Sequence, residues 1–211
     1  FATAILEYGS DKPDLRFGMK IQEVSALVKG CGFKVFTDAL ANGGVVRCVV
    51  AEGAAEFTRS MIDEMTELVK SHGAKGLAYI TLGKDGVKSP ISKFLGDDLV
   101  KQIIEQTKAK TGDIIFFGAD KESVVCKALG QLRLDLGKRL GVIDQNLLGW
   151  AWIVDFPFYE WNEEEKKIDF AHNPFSMPQG GMDALMGPEP ANIKAFQYDI
   201  ICNGIELSSG A

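Results

Sequence analysis

The sequence predicts an α+β protein in two packed parts, and three observations carry that reading. Apolar residues recur at helical spacing in several stretches, the clearest being Glu56–His72, Asp97–Lys108 and the run from about Asp120 to Leu140. Between them lie short alternating or continuously apolar runs, some joined by Gly- and Asn-rich turns that suit neighbouring strands. Composition is that of an ordinary globular chain: with 211 residues, 46% of them hydrophobic, there is enough material for a substantial core.

In chain order, Phe1–Glu7 reads as the tail of a helix ended by Gly9, and Ser10-Asp-Lys-Pro-Asp14 as loop chemistry. By residue type alone this loop is a connector. Lys20–Lys29 has Ile21, Val24, Leu27 and Val28 on one side and predicts a short amphipathic helix stopped by Gly30. Phe33–Thr37 and Val45–Ala51 are strand-like, linked across Asn42-Gly43-Gly44. In Glu56–His72 the stripe Phe57, Met61, Met65, Leu68 and Val69 belongs in a core. Leu77–Leu82 alternates as a strand and turns at Gly83-Lys-Asp-Gly86 into a run that Pro90 breaks.

Asp97–Lys108 turns Leu99, Val100, Ile103 and Ile104 inward, and Asp113–Phe117 is a continuous apolar strand. The long helix that follows buries Val125, Leu129, Leu132, Leu136 and Leu140 despite Gly130 and Gly137. One sheet with helices on a face is the expected layer arrangement. A boundary falls at Gly141–Gly149. Beyond it, Trp150–Phe156 is a heavy apolar strand, Tyr159–Lys167 an acidic hairpin edge and Ile168–Phe170 its return. Asp183–Met186 is a helical turn and Glu189-Pro190 a connector before a final hairpin. The chain begins at Phe1 without a methionine and stops at Ala211 in a strand-like run, which predicts a piece excised from a longer protein.

Net charge is −6, so bulk electrostatics do not announce a nucleic-acid binder. The charge is uneven: residues 121–140, with Lys121, Lys127, Arg133, Lys138 and Arg139, are net +3, and residues 155–169 are net −4. The basic helix is either a solvated face or a contact for nucleic acid. Cys31, Cys48, Cys126 and Cys202 are scattered without a C-x-x-C pair, which fits a reducing cytosol. No apolar run reaches membrane-spanning length and no signal peptide is present.

Chemistry concentrates at the end of the chain. Asn203-Gly204 suits a two-residue type I′ turn, where both central residues need φ > 0. That turn sets Cys202 opposite Ile205, Ile201 opposite Glu206 and Asp199 opposite Ser208. Asp199 then shares a face with Ile201 and with Glu206. Two converging carboxylates are either a solvated polar face or a site for a divalent cation such as Mg²⁺, which takes one or two carboxylates plus substrate phosphates. Of the two histidines, His72 suits a helix C-terminus, and His172 after a strand suits a hydrogen-bonded structural place.

The run Tyr198-Asp199-x-x-x-Asn203-Gly204-x-Glu206 resembles the strand pair before the last signature motif of bacterial-type aspartyl-tRNA synthetases, a class II family. Three further runs agree in order: Tyr8-Gly-Ser-Asp-Lys-Pro-Asp-Leu-Arg16, Trp152-Ile-Val-Asp-Phe-Pro157 and His172-Asn-Pro-Phe-Ser-x-Pro178. The resemblance implies three divisions. Residues 1–16 are a catalytic-domain segment, 17–148 a GAD-like insertion domain, and 149–211 a catalytic-domain segment built on an antiparallel sheet.

It further implies a cytoplasmic ligase, homodimeric as a parent protein, that activates aspartate with Mg²⁺-ATP and transfers it to tRNA. On that reading Asp199 and Glu206 bind ATP and the metal, His172 helps bind aspartate, and the insertion sits near the tRNA acceptor arm. The chain departs from the family pattern at Asn173, where many members carry a second histidine, and at Ser208 and Ser209, where glycines are common. The ATP-binding Phe-Arg-x-Glu motif and the Gly-rich Asp-Arg motif are absent from the sequence, as are P-loop, G-x-G-x-x-G and H-E-x-x-H patterns. The chain by itself is therefore expected to fold without forming aspartyl-adenylate. The rival reading is a non-catalytic GAD-type module, such as occurs in amidotransferase subunits that handle charged tRNA. Residues 150–206 discriminate, since such a module has no use for the Asp199/Glu206 hairpin or for His172.

Overall fold

The computed structural model describes residues 1–162 and 165–211. The chain divides into two compact units, one of Ile5–Ser10 with Phe17–Gln145, the other of Phe1–Ala4, Asp11–Arg16 and Asn146–Ala211. Helix α1 spans Ala2–Tyr8. Residues Ile5–Ser10 thus belong with the larger unit, although they lie inside the stretch 1–16 that the sequence assigned to a different domain from 17–148.

The larger unit is built on a five-stranded antiparallel sheet. Its elements are β1 (Gln22–Glu23), α2 (Ser25–Val28), α3 (Lys34–Ala41), β2 (Val45–Ala51), α4 (Arg59–Ser71), β3 (Ala78–Gly83), β4 (Gly86–Lys88), α5 (Ser92–Leu95), α6 (Asp97–Thr107), β5 (Ile114–Asp120) and α7 (Glu122–Arg139). The strand order is β1-β2-β5-β3-β4, with Val49 opposite Phe116 and Ile80 opposite Ile115. The predicted α+β class holds. Helices cover both faces of the sheet, however, because β2, apart from Arg47, and most of β5 are apolar at successive positions and both of their faces must leave water. Val46, Cys48, Ile80, Ile115 and Phe117 pack under α2, α3 and α6; Val49, Ile114 and Phe116 pack under α4 and α7. Leu129, Leu132 and Leu136 of α7 are fully buried in the second of these cores.

Two local expectations give way. Lys20–Lys29 is not one helix: Gln22 and Glu23 pair with Cys48 and Arg47 at the sheet edge, and only Ser25–Val28 is helical. The edge of β2 offers the backbone of residues 22–24 hydrogen-bond partners, Val24 N–H donating to Val46 O at 3.0 Å. Phe33–Thr37 is not a strand but opens into α3. The aromatic and β-branched residues favour a strand locally, yet Phe36 and Leu40, four apart, reach the same core only from a helix. Asn42 closes that helix by donating its side-chain amide to Asp38 O at 2.7 Å. Helix α4 is capped by Thr58, whose hydroxyl accepts from Met61 N–H.

A buried arginine ties the larger unit together. Arg133, 1% exposed, donates to the carbonyls of Phe17, Gly18 and Met19 at 3.0, 2.9 and 3.1 Å. Its guanidinium also lies over the rings of Tyr8 and Phe17, 5.0 and 4.0 Å from their centroids.

The smaller unit holds β6 (Trp150–Ile153), β7 (Phe156–Pro157), β8 (Tyr159–Asn162), β9 (Lys167–Phe170), α8 (Gly181–Leu185), β10 (Lys194–Ala195), β11 (Tyr198–Cys202) and β12 (Ile205–Gly210). They form a three-stranded antiparallel sheet, β12-β11-β6, and the pairs β7–β10 and β8–β9. Its core gathers Ala4, Ile153, Phe156, Phe158, Ile193, Ala195 and Ile201. The predicted acidic hairpin is present as β8–β9, with Tyr159 opposite Phe170; Glu163 and Glu164 lie outside the described residues.

Candidate functional site

The final hairpin fixes the geometry of the candidate site. Asn203 and Gly204 both take left-handed φ, 54° and 80°, as a type I′ turn requires. Asn203 also anchors the turn: its side-chain Oδ1 accepts from Gly149 N–H at 2.8 Å and its amide donates to Leu147 O at 3.2 Å. The turn packs against the loop at Lys12–Asp14, far away in the sequence. A Cβ placed on Gly204 would lie 3.5 Å from Asp14 Cβ and 3.7 Å from Lys12 O.

The register sets Cys202 opposite Ile205 and Ile201 opposite Glu206, as read from the sequence. It then shifts between Ile200 and Ile201: Ile200 faces Ser208, and Asp199 faces Ser209 instead of Ser208. A β-bulge at Leu207 takes up the extra residue, a feature that periodicity does not disclose. Because the bulge lies beyond Glu206, it leaves Glu206 opposite Ile201 and on the face that carries Asp199.

The two carboxylates differ in setting. Asp199 is on the central strand, between Ile153 of β6 and Ser209 of β12, and is 5% exposed. Burial, and next the charge of Glu206, push its carboxyl above the ordinary aspartate value. Its Oδ1 is buried and accepts no hydrogen bond among the described residues. Glu206 is held below the usual glutamate value chiefly by the ammonium of Lys12, with the Ser209 hydroxyl adding to it. Lys12 Nζ lies 2.9 Å from Glu206 Oε2.

Among the described residues no three His, Cys, Asp or Glu side chains gather in a way that could hold a metal ion. The pair Asp199/Glu206 therefore supplies at most two protein ligands. That number fits Mg²⁺, which completes its shell with water and substrate phosphates, and the orphaned Oδ1 of Asp199 is a hard oxygen without a partner.

The Lys12 loop is itself held. Asp14, 5% exposed, receives Arg16 in a fork: Nε to Oδ1 at 2.9 Å and Nη2 to Oδ2 at 2.7 Å. Sequence reasoning treated this stretch as a connector and as one of the matching runs, and named none of its residues for the site. The pairing of Lys12 with Glu206, far apart in the chain, leaves no trace in periodicity.

His172 is exposed, with its ring edge-on to Phe1 and Phe156 at centroid distances of 5.5 and 5.1 Å. Asn173 turns the chain locally by accepting from Phe175 N–H at 3.0 Å. Asp155, between β6 and β7, has φ 58° and accepts from Gln179 at 2.9 Å, with Lys194 at 3.3 Å; these partners hold its carboxyl below the usual range. The structure thus brings Asp199, Glu206 and Lys12 together, while the described contacts of His172 are with Phe1 and Phe156.

The basic stretch at residues 121–140 is less available than its composition suggests. Arg133 is buried on carbonyls and aromatic rings, and Arg139 is paired with Asp135 at 2.6 Å and Glu64 at 3.0 Å. Lys121, Lys127 and Lys138 are exposed. The cysteines are all free, and burial pushes the Cys48 thiol up to about 12, which makes it chemically inert at neutral pH. Among the described residues no helix is long and apolar enough to cross a membrane.

Residues 36–129 match the family model of the GAD domain. The chain is also similar along its whole length to bacterial aspartate–tRNA ligases. It is 49% identical over 212 aligned residues to an aspartate–tRNA ligase of Clostridium perfringens, an alignment that takes in 100% of this chain and 36% of that protein. An aspartate–tRNA(Asp/Asn) ligase of Acidiphilium cryptum is 50% identical over 208 residues, 99% of this chain and 35% of the relative. One from the Wolbachia of Brugia malayi is 47% identical over 213 residues. The chain spans about a third of the length of these curated relatives.

Proposed function

We infer that this chain is the portion of a class II aspartate–tRNA ligase that carries a GAD-type insertion and part of the active site. The observation that carries the reading is identity of 47–50% along the whole chain, including the hairpin on which Asp199 and Glu206 share a face. On this reading the parent enzyme is a cytoplasmic homodimer that takes aspartate, ATP and tRNA, and residues 17–148 are its insertion domain.

Within that enzyme, Asp199 and Glu206 would hold the Mg²⁺ that accompanies ATP. That cation would supply charge neutralisation at the ATP phosphates. Asp199 is suited to the task because its Oδ1 is buried with no hydrogen bond to relieve it. The bulge at Leu207 and the Asn203-Gly204 turn fix the relative positions of the two carboxylates. His172, presented at the surface and steadied by Phe1 and Phe156, contributes to aspartate placement. Positioning of this kind supplies much of the acceleration in an acyl-activation step.

A non-catalytic GAD module is the less supported alternative. The GAD match ends at residue 129, whereas the similarity to ligases runs on through β6–β12.

The test is aspartate-dependent ATP–pyrophosphate exchange by the ligase that contains this chain. Asp199→Asn and Glu206→Gln are each expected to lower exchange by on the order of a hundredfold or more. His172→Ala is expected to act mainly on the aspartate KM. Exchange at the wild-type rate in both carboxylate variants sinks the assignment. The 211-residue chain alone is expected to give no exchange.

A further inference from the structure

We propose that Lys12 is an internal counter-ion of the carboxylate pair, a positioning residue that holds Glu206 in the cation-free protein and that a divalent cation must displace. The proposal rests on the reading of Asp199 and Glu206 as a cation site and adds to it a residue from a distant loop.

Three features of the structure support it. Lys12 Nζ is 2.9 Å from Glu206 Oε2, so one oxygen that a cation would take already has a positive partner. That partner answers only part of the site: Asp199 Oδ1, buried, accepts no hydrogen bond among the described residues. A compact divalent ion can engage both carboxylates at once, whereas an ammonium at the end of a long stem occupies one. Finally, the exchange requires movement of a side chain and not of the loop. The backbone at Lys12 and Asp14 packs on Gly204, Asp14 grips Arg16 through both Nε and Nη2, and the Lys12 side chain is 42% exposed.

An exposed pair of this sort is weak enough to be exchanged for a cation and strong enough to compete with one. Its removal is expected to tighten cation binding about two- to fivefold at low salt. The same pair keeps Glu206 from folding away from the site while the cation is absent, so the carboxylate is in place when the cation arrives.

The experiment uses the 211-residue chain and Mn²⁺ as the probe, read by paramagnetic broadening of the backbone amide signals of Ile205 and Glu206. In the wild-type chain a midpoint Mn²⁺ concentration is measured for these amides, and Asp199→Asn is expected to abolish the saturable broadening. Lys12→Gln is expected to lower the midpoint about two- to fivefold, and Lys12→Arg to restore it to within twofold of wild type. Lys167→Gln, which removes a charge of the same sign on the separate β8–β9 hairpin, is expected to leave it unchanged. A Lys12→Gln midpoint equal to or above that of the wild type, with Asp199→Asn still abolishing binding, overturns the role of Lys12 and leaves the cation site standing. Broadening that survives Asp199→Asn removes the cation from the pair and overturns both readings. An equal effect from Lys167→Gln reduces the Lys12 effect to general surface charge and overturns the proposal.

Discussion

Gly9 and Gly130 meet backbone to backbone. A Cβ built on Gly130 would stand 2.8 Å from both Gly9 Cα and Gly9 O, and one built on Gly9 would stand 2.5 Å from Gly130 Cα. The segment ending at Gly9 can lie on helix α7 only because both residues lack a side chain. This explains two features that are unfavourable taken alone, a glycine inside a helix and φ of 72° at Gly9.

Gly130→Ala raises helix propensity and is nevertheless expected to destabilise the larger unit by about 1–3 kcal/mol, since backbone and not a flexible side chain must give way. Gly30→Ala, where no atom lies within 4 Å of the added Cβ, is the control and is expected to change stability by no more than about 0.5 kcal/mol. Urea unfolding of both variants decides the matter; equal midpoints would remove the close contact from the account.

Arg133→Met preserves much of the packing volume and removes the donors to Phe17, Gly18 and Met19. Leaving these carbonyls, of which that of Phe17 is buried, without their donor is expected to cost about 1–3 kcal/mol. Arg133→Lys is expected to recover little of it, because an ammonium cannot spread over three carbonyls and two rings. A Met variant as stable as wild type would show that the carbonyls find other donors.

Asp199 links stability to pH in the direction opposite to most carboxylates. Its folded pKa is raised above the ordinary value of 3.8, by burial first and by Glu206 second. Between the ordinary value and the raised one the folded chain holds more protons than the unfolded chain, so this group's contribution to stability falls as pH rises through that window. Above it the ionised carboxylate is a standing cost. Asp199→Asn is therefore expected to stabilise the cation-free chain at pH 7, by about 1 kcal/mol, with the advantage shrinking on acidification. Chemical denaturation at pH 7 and at pH 3.5 reads both; a variant less stable than wild type at pH 7 contradicts the reasoning.

Glu206 behaves the other way. Lys12 depresses its pKa below 4.5, so its contribution is present above that value and is lost as pH falls through the folded pKa. Both side chains are partly exposed, and Glu206→Gln is expected to cost about 0.2–1 kcal/mol at pH 7 and low salt, fading in 1 M salt.

Asn203→Ala removes an acceptor for Gly149 N–H, a donor to Leu147 O and a residue that tolerates φ of 54°. The expected loss is about 2 kcal/mol or more. Asn203→Gly keeps the turn conformation while losing the side-chain bonds, and is expected to be the milder change. The difference in thermal midpoint between the two separates turn geometry from anchoring.

The parts legible in the sequence are those set by short-range rules. Asn203-Gly204 announced its turn, and the two pairs nearest it, Cys202–Ile205 and Ile201–Glu206, followed from turn geometry. The pairing of Asp199 did not, because a bulge at Leu207 answers to the packing of the whole sheet. Phe33–Thr37 misled because local β-propensity is a weaker force than the chance to bury Phe36 and Leu40 on one helical stripe. Arg133 could have been recognised: it falls four residues after Leu129 and one after Leu132, squarely on the buried side of α7, where a charge must find buried partners. Lys12 could not, since a loop lysine meeting a strand glutamate across most of the chain obeys no periodic pattern.

Tyr8 supplies a ring to Arg133 and Gly9 a place against Gly130, so residues Ile5–Ser10 pack with the larger unit although they lie outside the stretch 17–148. An engineer who clones residues 17–148 as a free-standing cassette discards that clasp and exposes one side of α7. The same holds for natural transplantation: a gene segment encoding only the stretch between the junctions would arrive in a new host protein missing part of its own interior.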